Sequence, residues 1–192
     1  MRGAWIGVAV VAVLLLGVGG CLVGNYNRLV TTRESVNQSW AQVNNQLQRR
    51  NDLIGNLAET VKGTALQEQK VFGDIANARA AMAGARTPED QVKAAQQTDT
   101  ALGRLLVVVE NYPQLKSNEA FVQLMDELSG TENRLAVARQ RYNEVVQGYN
   151  VMVKRFPTSV FAGLFGFKES PYYQITEGAQ NVPKIDFGSL KK

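Results

Sequence analysis

The sequence predicts an all-α protein: an N-terminal membrane anchor, then an antiparallel up-and-down four-helix bundle, then an irregular C-terminal tail. Three observations predict it. Residues 4–24 carry no charge, the chain from 26 to 157 repeats apolar residues at three-four spacing, and Pro or Gly clusters punctuate that repeat. The boundaries follow as 1–25 for the anchor, 26–157 for the bundle and 158–192 for the tail. Composition agrees, with 45% hydrophobic and 20% charged residues giving a globular balance. After the first 25 residues Ala, Val, Leu, Gln, Asn and Arg dominate, and alternating β-type runs are scarce.

The run Ala4–Gly24 (AWIGVAVVAVLLLGVGGCLVG) is 21 residues long. As a helix it can cross about 30 Å of hydrocarbon. Arg2 precedes it, and Trp5 and Tyr26 stand at its ends as interfacial aromatics do. The same residues admit a second reading. Val18-Gly19-Gly20-Cys21 after an apolar stretch matches a bacterial lipobox, in which the Cys21 thiol takes a diacylglycerol. Transmembrane helix and lipidated Cys21 both remain open, and both place the protein at a bacterial membrane on a single N-terminal anchor. Arg2 and the amino terminus against Arg28 and Arg33 leave the charge rule for orientation near a tie. A lipobox would put the bundle outside the cytoplasm, so an extracytoplasmic, periplasmic side is expected over a cytoplasmic one.

Helix one carries Leu29, Val36, Trp40, Val43 and Leu47 on its stripe, and helix two Ile54, Leu57, Val61, Val71, Ile75 and Met82. Gly55 offers a turn between them, but the spacing runs on through it, so one kinked helix is the alternative. The break at residues 84–90 is strong: Thr87 can cap, Pro88 suits a first helical position, and Glu89 and Asp90 favour the positive end of the helix dipole. Helix three carries Val92, Ala95, Leu102, Leu106 and Val109 and ends at Asn111-Tyr112-Pro113. Ser117 caps helix four, whose stripe is Phe121, Leu124, Leu128, Leu135, Ala138, Tyr142, Val145, Tyr149, Met152 and Phe156, interrupted by Thr131 and stopped by Pro157.

The tail holds Gly163, Gly166, Gly178, Pro171 and Pro183 among six aromatics: Phe161, Phe165, Phe167, Tyr172, Tyr173 and Phe187. These either cover an end of the bundle or form a surface for lipid or partner. Phe161, Leu164, Phe165 and Phe167 are the contact candidates.

The formal charge of +4 and pI near 9.3 are spread among interleaved acids, so no one-signed patch suited to nucleic acid forms. Mild attraction to anionic lipid is the better use of the surplus. There is no His, which removes the commonest general base and metal ligand, and one Cys excludes an intrachain disulfide or thiolate zinc cage. No catalytic, cofactor-binding or metal residues are expected, and no small-molecule substrate. Four charged residues break the stripes: Arg33, Arg50, Glu68 and Asp99. With turns near residues 54 and 86, equal rise per residue sets Asp99 level with about residue 35. An Arg33–Asp99 ion pair fixing register is one expectation; Arg33 reaching out to water is the other.

The stretches Tyr26-Asn27-Arg28-Leu29-Val30, Trp40, Gln46 to Ile54 and Val61-Lys62-Gly63 resemble the LemA family. So do Glu110 to Lys116, Leu128, Thr131-Glu132-Asn133-Arg134, Ala138-Arg139, Tyr142-Asn143, Tyr149-Asn150, Phe156-Pro157 and the Gly-Phe at 166–167. The likeness spans residues 26 to 170; Gly55 departs from it, standing where the family usually has Pro. It implies a four-helix bundle on an N-terminal membrane anchor and supplies no catalytic residue. The expected function is a non-enzymatic structural or scaffolding component of the cell envelope, partnered by membrane lipid and by itself or an envelope protein. The alternative is a lipid-contacting, membrane-remodelling module, and an enzyme is the remote one.

Overall fold

The computed structural model describes residues 2–174, and within them the side chains of residues 2–4, 6–12, 14, 15 and 18 stand outside the description. Every regular element among the described residues is a helix: α1 (Arg2–Lys62), α2 (Gln69–Gly84), α3 (Pro88–Glu110), α4 (Pro113–Lys116), α5 (Glu119–Lys154) and α6 (Thr158–Leu164). That is six where four were expected, and the first boundary differs most. α1 runs from Arg2 through Gly55 without a break, so the turn expected at Gly55 is absent; nor is there one kinked helix, because a turn at residues 63–68 divides the expected helix two between α1 and α2. Gly55 is not a turn glycine but a close approach. It is buried, and a Cβ there would meet the Arg79 guanidinium of α2.

Among the described residues no helix is long and apolar enough to cross a membrane. The Ala4–Gly24 run, on which the anchor expectation rests, falls largely on side chains outside them. The same holds for the tail beyond Gln174, including Gly178, Pro183 and Phe187.

The described residues form two compact units, the first made of residues 2–40 with 140–172, the second of 41–139 with Tyr173 and Gln174. In the second unit five helices contribute to one core. Leu53, Ile54, Leu57, Ala58 and Val61 of α1 pack with Ala65 of the turn, Ile75 and Ala78 of α2, Ala101, Leu105, Val108 and Val109 of α3, Leu115 of α4, and Phe121 and Leu128 of α5. Fully burying a Leu or Ile side chain stabilises by about 1.5–3 kcal/mol, so this cluster is the main support of the unit. On α3 Ala95 and Val109 of the expected stripe are buried, but Leu102 and Leu106 are half-buried and Leu105 and Val108 take the core in their place.

Local signals fix the ends of these helices. The Thr87 hydroxyl accepts the Asp90 amide at 3.1 Å, with Pro88 in the first turn, as the break at 84–90 suggests. For α5 the cap is Asn118, not Ser117: the Asn118 side-chain oxygen accepts the Phe121 amide at 3.0 Å. Glu68, one of the stripe breakers, lies in the turn as the residue preceding α2, where its carbonyl accepts the Val71 and Phe72 amides.

In the first unit α1 and α5 run antiparallel, since Thr32 meets Met152 and Trp40 meets Tyr142. Val36, Tyr142, Val146 and Tyr149 are buried; Val145, placed on the stripe by spacing, is only half so. The tail is not irregular at its start. After a cis Phe156–Pro157 bond it forms α6, which ends in a Schellman motif. Gly166 takes φ +72°, the left-handed region open to glycine, so that its amide reaches the Gly163 carbonyl and the Phe167 amide the Ala162 carbonyl at 2.9 Å. Phe167 then closes on Ala162 and Leu29 as a small core.

Candidate functional site

Each unit has one group of buried or half-buried polar side chains that joins separate elements. In the second unit the centre is Arg50. Its stem is threaded among core residues of α1, and its guanidinium pairs with Asp99 of α3 and Glu132 of α5, one cation joining three helices. The Arg50 side chain is 7% exposed, whereas Asp99 and Glu132 are 33% and 41% exposed. Burial of the cation is offset by two carboxylates that keep part of their hydration. Hydroxyls near it are turned to the helix backbone: Thr98 donates to the Ala94 carbonyl and Thr131 to the Glu127 carbonyl, each at 2.9 Å. Arg134 in turn donates to the Thr131 oxygen. Tyr173, also of this unit, receives the Arg139 guanidinium 4.7 Å from its ring centroid. Burial raises the Tyr173 pKa, with Arg139 pulling against it.

In the first unit the centre is a strap, residues 165–172, laid along α5 and held by side chains that read its backbone. The Asn150 amide donates to the Ser170 carbonyl at 2.9 Å and accepts the Ser170 amide at 2.8 Å, as a neighbouring strand would. The Tyr149 hydroxyl donates to the Lys168 carbonyl at 2.9 Å and the Tyr142 hydroxyl to the Pro171 carbonyl at 2.8 Å. Lys154 pairs with Glu169 at 2.8 Å on the surface. Burial raises the pKa of Tyr142 and of Tyr149, the latter against the field of Arg33. The hydrogen bond to Glu169 raises that of Lys154.

The structure thus redistributes the expected residues. Asp99 has Arg50 as its partner, not Arg33. Moving the first turn from near residue 54 to residues 63–68 shifts the part of α1 level with Asp99 away from Arg33 and towards Arg50. Arg33 is exposed, its guanidinium carbon 6.0 Å from the Phe167 ring centroid. Phe167 is buried against Leu29 and Ala162, which takes it out of any contact surface, and Phe161 is half-buried. Leu164 and Phe165 are exposed, with Phe165 edge-on to Tyr26. Cys21 is exposed on α1, and the Asn25 amide donates to its carbonyl at 2.8 Å.

Sequence reasoning passed over Glu132, Asn150 and the two tyrosine hydroxyls. A signal existed for them: each is a polar group carried on or beside an apolar stripe, where burial demands a partner. Among the described residues no group of three or more His, Cys, Asp or Glu stands where it could share a metal ion.

Comparison with known proteins places this arrangement. A family model described as LemA family matches residues 39–187. Magnetosome protein MamQ 2 of Paramagnetospirillum magneticum is 28% identical over 179 residues, covering 80% of this chain and 66% of its own length. Magnetosome protein MamQ of Magnetospirillum gryphiswaldense is 28% identical over 178 residues, covering 79% and 65%. Protein LemA of Metamycoplasma hominis is 20% identical over 156 residues, covering 81% and 71%. The match thus spans just under two thirds of the length of the MamQ relatives.

Proposed function

Since the chain belongs to the LemA family, we propose that it is a membrane-anchored, non-enzymatic structural protein of the bacterial cell envelope, assembling with itself or with an envelope protein. The observation that carries this reading is the continuity of α1. One helix contains the uncharged run of residues 4–24 and, with no turn between, the core residues from Leu29 to Val61. Trp5, Val13, Leu16 and Val23 of that run are exposed apolar side chains. A helix that is apolar around its circumference over 21 residues needs an apolar surrounding, and its length of about 31 Å suits a bilayer core.

The non-enzymatic part of the reading is supported by how the buried polar groups are spent. Arg50 is taken by two carboxylates, and Thr98, Thr131 and Ser39 bond to their own helix carbonyls. Those engagements suit a register-fixing role.

Intact mass of the protein extracted from its native membrane is the test. A full-length chain in the carbonate-resistant membrane fraction supports a transmembrane α1; a chain beginning at Cys21 with added acyl mass supports a lipoprotein outside the cytoplasm. Recovery of the full-length, unmodified chain in the soluble fraction would overturn membrane anchoring. Crosslinking in the same membranes addresses assembly, and a strictly monomeric, partnerless pattern would remove the scaffolding role.

A further inference from the structure

The short helix α6 is tied to α1 at both of its ends, and at a single height. At its start the Thr158 hydroxyl donates to the Asn25 side-chain oxygen at 3.4 Å. At its end Phe165 meets Tyr26 edge-on, ring centroids 5.0 Å apart. Asn25 and Tyr26 are neighbours, about 1.5 Å apart along the axis of α1, whereas a helix of seven residues is about 10 Å long. A helix whose two ends meet one level of another lies across it.

The faces of α6 are equally defined. Ala162 packs with Leu29 and Phe167 on the inner side. Positions two residues before and after a helical residue point about 160° away from it, and these are Val160 and Leu164. Val160 is 59% and Leu164 73% exposed, and Phe156, at the corner before α6, is 79% exposed. The outer side of the crossing helix is therefore apolar, and the exposed cation Arg155 directly precedes the corner at Phe156.

Asn25 is the first polar residue after Ala4–Gly24. The crossing helix accordingly lies at the level of α1 where a stretch long enough for hydrocarbon gives way to polar sequence. A short helix lying flat, apolar on its outer side and preceded by a cation, suits the boundary between headgroups and acyl chains. From this we propose that the corner Phe156–Leu164 is a lipid-contact collar, with Phe156, Val160 and Leu164 entering the bilayer surface beside the emerging α1. The inference rests on the membrane-anchored reading and deepens it by naming the second surface that meets lipid. It holds for either anchor, because a diacylglycerol on Cys21 would also bring the bilayer surface to about one helical turn from Asn25.

The test uses the full-length chain in vesicles of phosphatidylcholine and phosphatidylglycerol that contain a phospholipid with a diazirine near the head of one acyl chain. Adducts are mapped by proteolysis and mass spectrometry. The expected result is labelling of both the 4–24 run and residues 156–165. The Val160→Glu/Leu164→Glu chain should lose the second set, keep the first, and melt as the parent does, since both side chains are exposed. Phe156→Ser, which lies outside α6, should lower the second set by itself. Labelling of 4–24 with none at 156–165 would overturn the collar and leave the anchor standing. So would labelling at 156–165 undiminished by the substitutions. In a chain that retains residues 4–20 and carries no acyl group, absence of labelling on 4–24 would overturn the anchored reading and the collar with it.

Discussion

Between residues 41 and 139, where segments of α1, α2, α3 and α5 surround a common interior, mostly apolar side chains fill the space, and a single buried cation, Arg50, ties three of the helices. Between α1 and α5 in the other unit only two helices run side by side, and two helices leave one flank of each stripe uncovered. There the chain from 165 to 172 supplies a third wall. The difference is one of what each contact recognises. Arg50 selects charge, and so fixes which turn of α3 and α5 stands beside which turn of α1. Asn150, Tyr142 and Tyr149 select backbone amides and carbonyls, and so fix where the strap lies with little regard for its side chains. Helices need a register device because their stripes allow slippage by a turn. An extended segment needs its backbone satisfied, because it has no internal hydrogen bonds of its own.

Removing the charge device gives the largest effect. Arg50→Met keeps the stem and leaves Asp99 and Glu132 without a counter-ion. Breaking a buried pair costs about 3–5 kcal/mol, and partial exposure of both carboxylates brings the expectation to about 2–3 kcal/mol by urea unfolding. Amide exchange should quicken in α3 around Asp99 and in α5 around Glu132, and stay unchanged at Ser170. A loss below about 0.5 kcal/mol, the ordinary range for a surface substitution, would mean that the apolar core sets register without help.

Much of this architecture is legible in the sequence, and the losses have physical causes. Leu29, Val36, Val43, Leu47, Leu135 and Tyr149 lie buried as their spacing suggests. The Thr87-Pro88 start of α3 and the stop at Pro157 are visible because Pro and capping residues act locally. The turn at 63–68 is harder to see, because Gly55 is a conspicuous breaker and Gly63 is not flanked by Pro. A trace of it is present: between Val61 and Val71 the stripe's one apolar member is the small Ala65. Since pairing across helices depends on turn position, that one displacement also carries the expected partner of Asp99 from Arg50 to Arg33. Phe167 looks like a contact residue because aromatics beside glycine suggest a loose loop. Its burial depends on the Schellman closure at Gly166, which only the folded end of α6 reveals.

The backbone device breaks more gently. Asn150→Ala removes two hydrogen bonds to Ser170, each contributing about 1 kcal/mol net, so the loss should be about 2 kcal/mol. Here exchange should quicken at Ser170 and stay unchanged around Asp99, the reverse of the Arg50→Met pattern. Loss of protection in both regions from either substitution would show that the two devices hold one cooperative structure and end the distinction drawn between them.

Alkaline pH separates the devices without mutation. Tyr142 and Tyr149 have pKa values raised by burial above the 10.0 of a free phenol. In such a case the unfolded chain releases its protons first. The stabilisation is therefore complete below about pH 10 and is lost as pH climbs through the raised folded values. Phenolates also cannot donate to the carbonyls of Lys168 and Pro171. Tyr149→Phe should cost about 1 kcal/mol at neutral pH and flatten the alkaline decline, measured as unfolding free energy against pH. An equally steep decline in a Tyr142→Phe/Tyr149→Phe chain would assign the sensitivity elsewhere, with Tyr173 of the other unit, also raised by burial, the first group to examine.

The smallest effect has the opposite sign. Gly55 sits inside α1, where glycine costs about 1 kcal/mol relative to alanine, so its presence asks for a reason. The reason on the structure is Arg79, whose guanidinium occupies the space that a Cβ at position 55 would take. That atom group is the far end of a flexible, exposed side chain, and it can swing aside into water at small cost. Gly55→Ala should therefore stabilise the second unit by about 0.5 kcal/mol, the propensity gain less the displacement of Arg79. Thermal melting of the single variant and of Gly55→Ala/Arg79→Ala checks this. If the close approach of α2 to α1 depends on Arg79 lying over Gly55, the single variant will instead lose stability and the double variant will not recover it. Register between α1 and α2 would then be set by shape, beside the charge that sets it for α3 and α5.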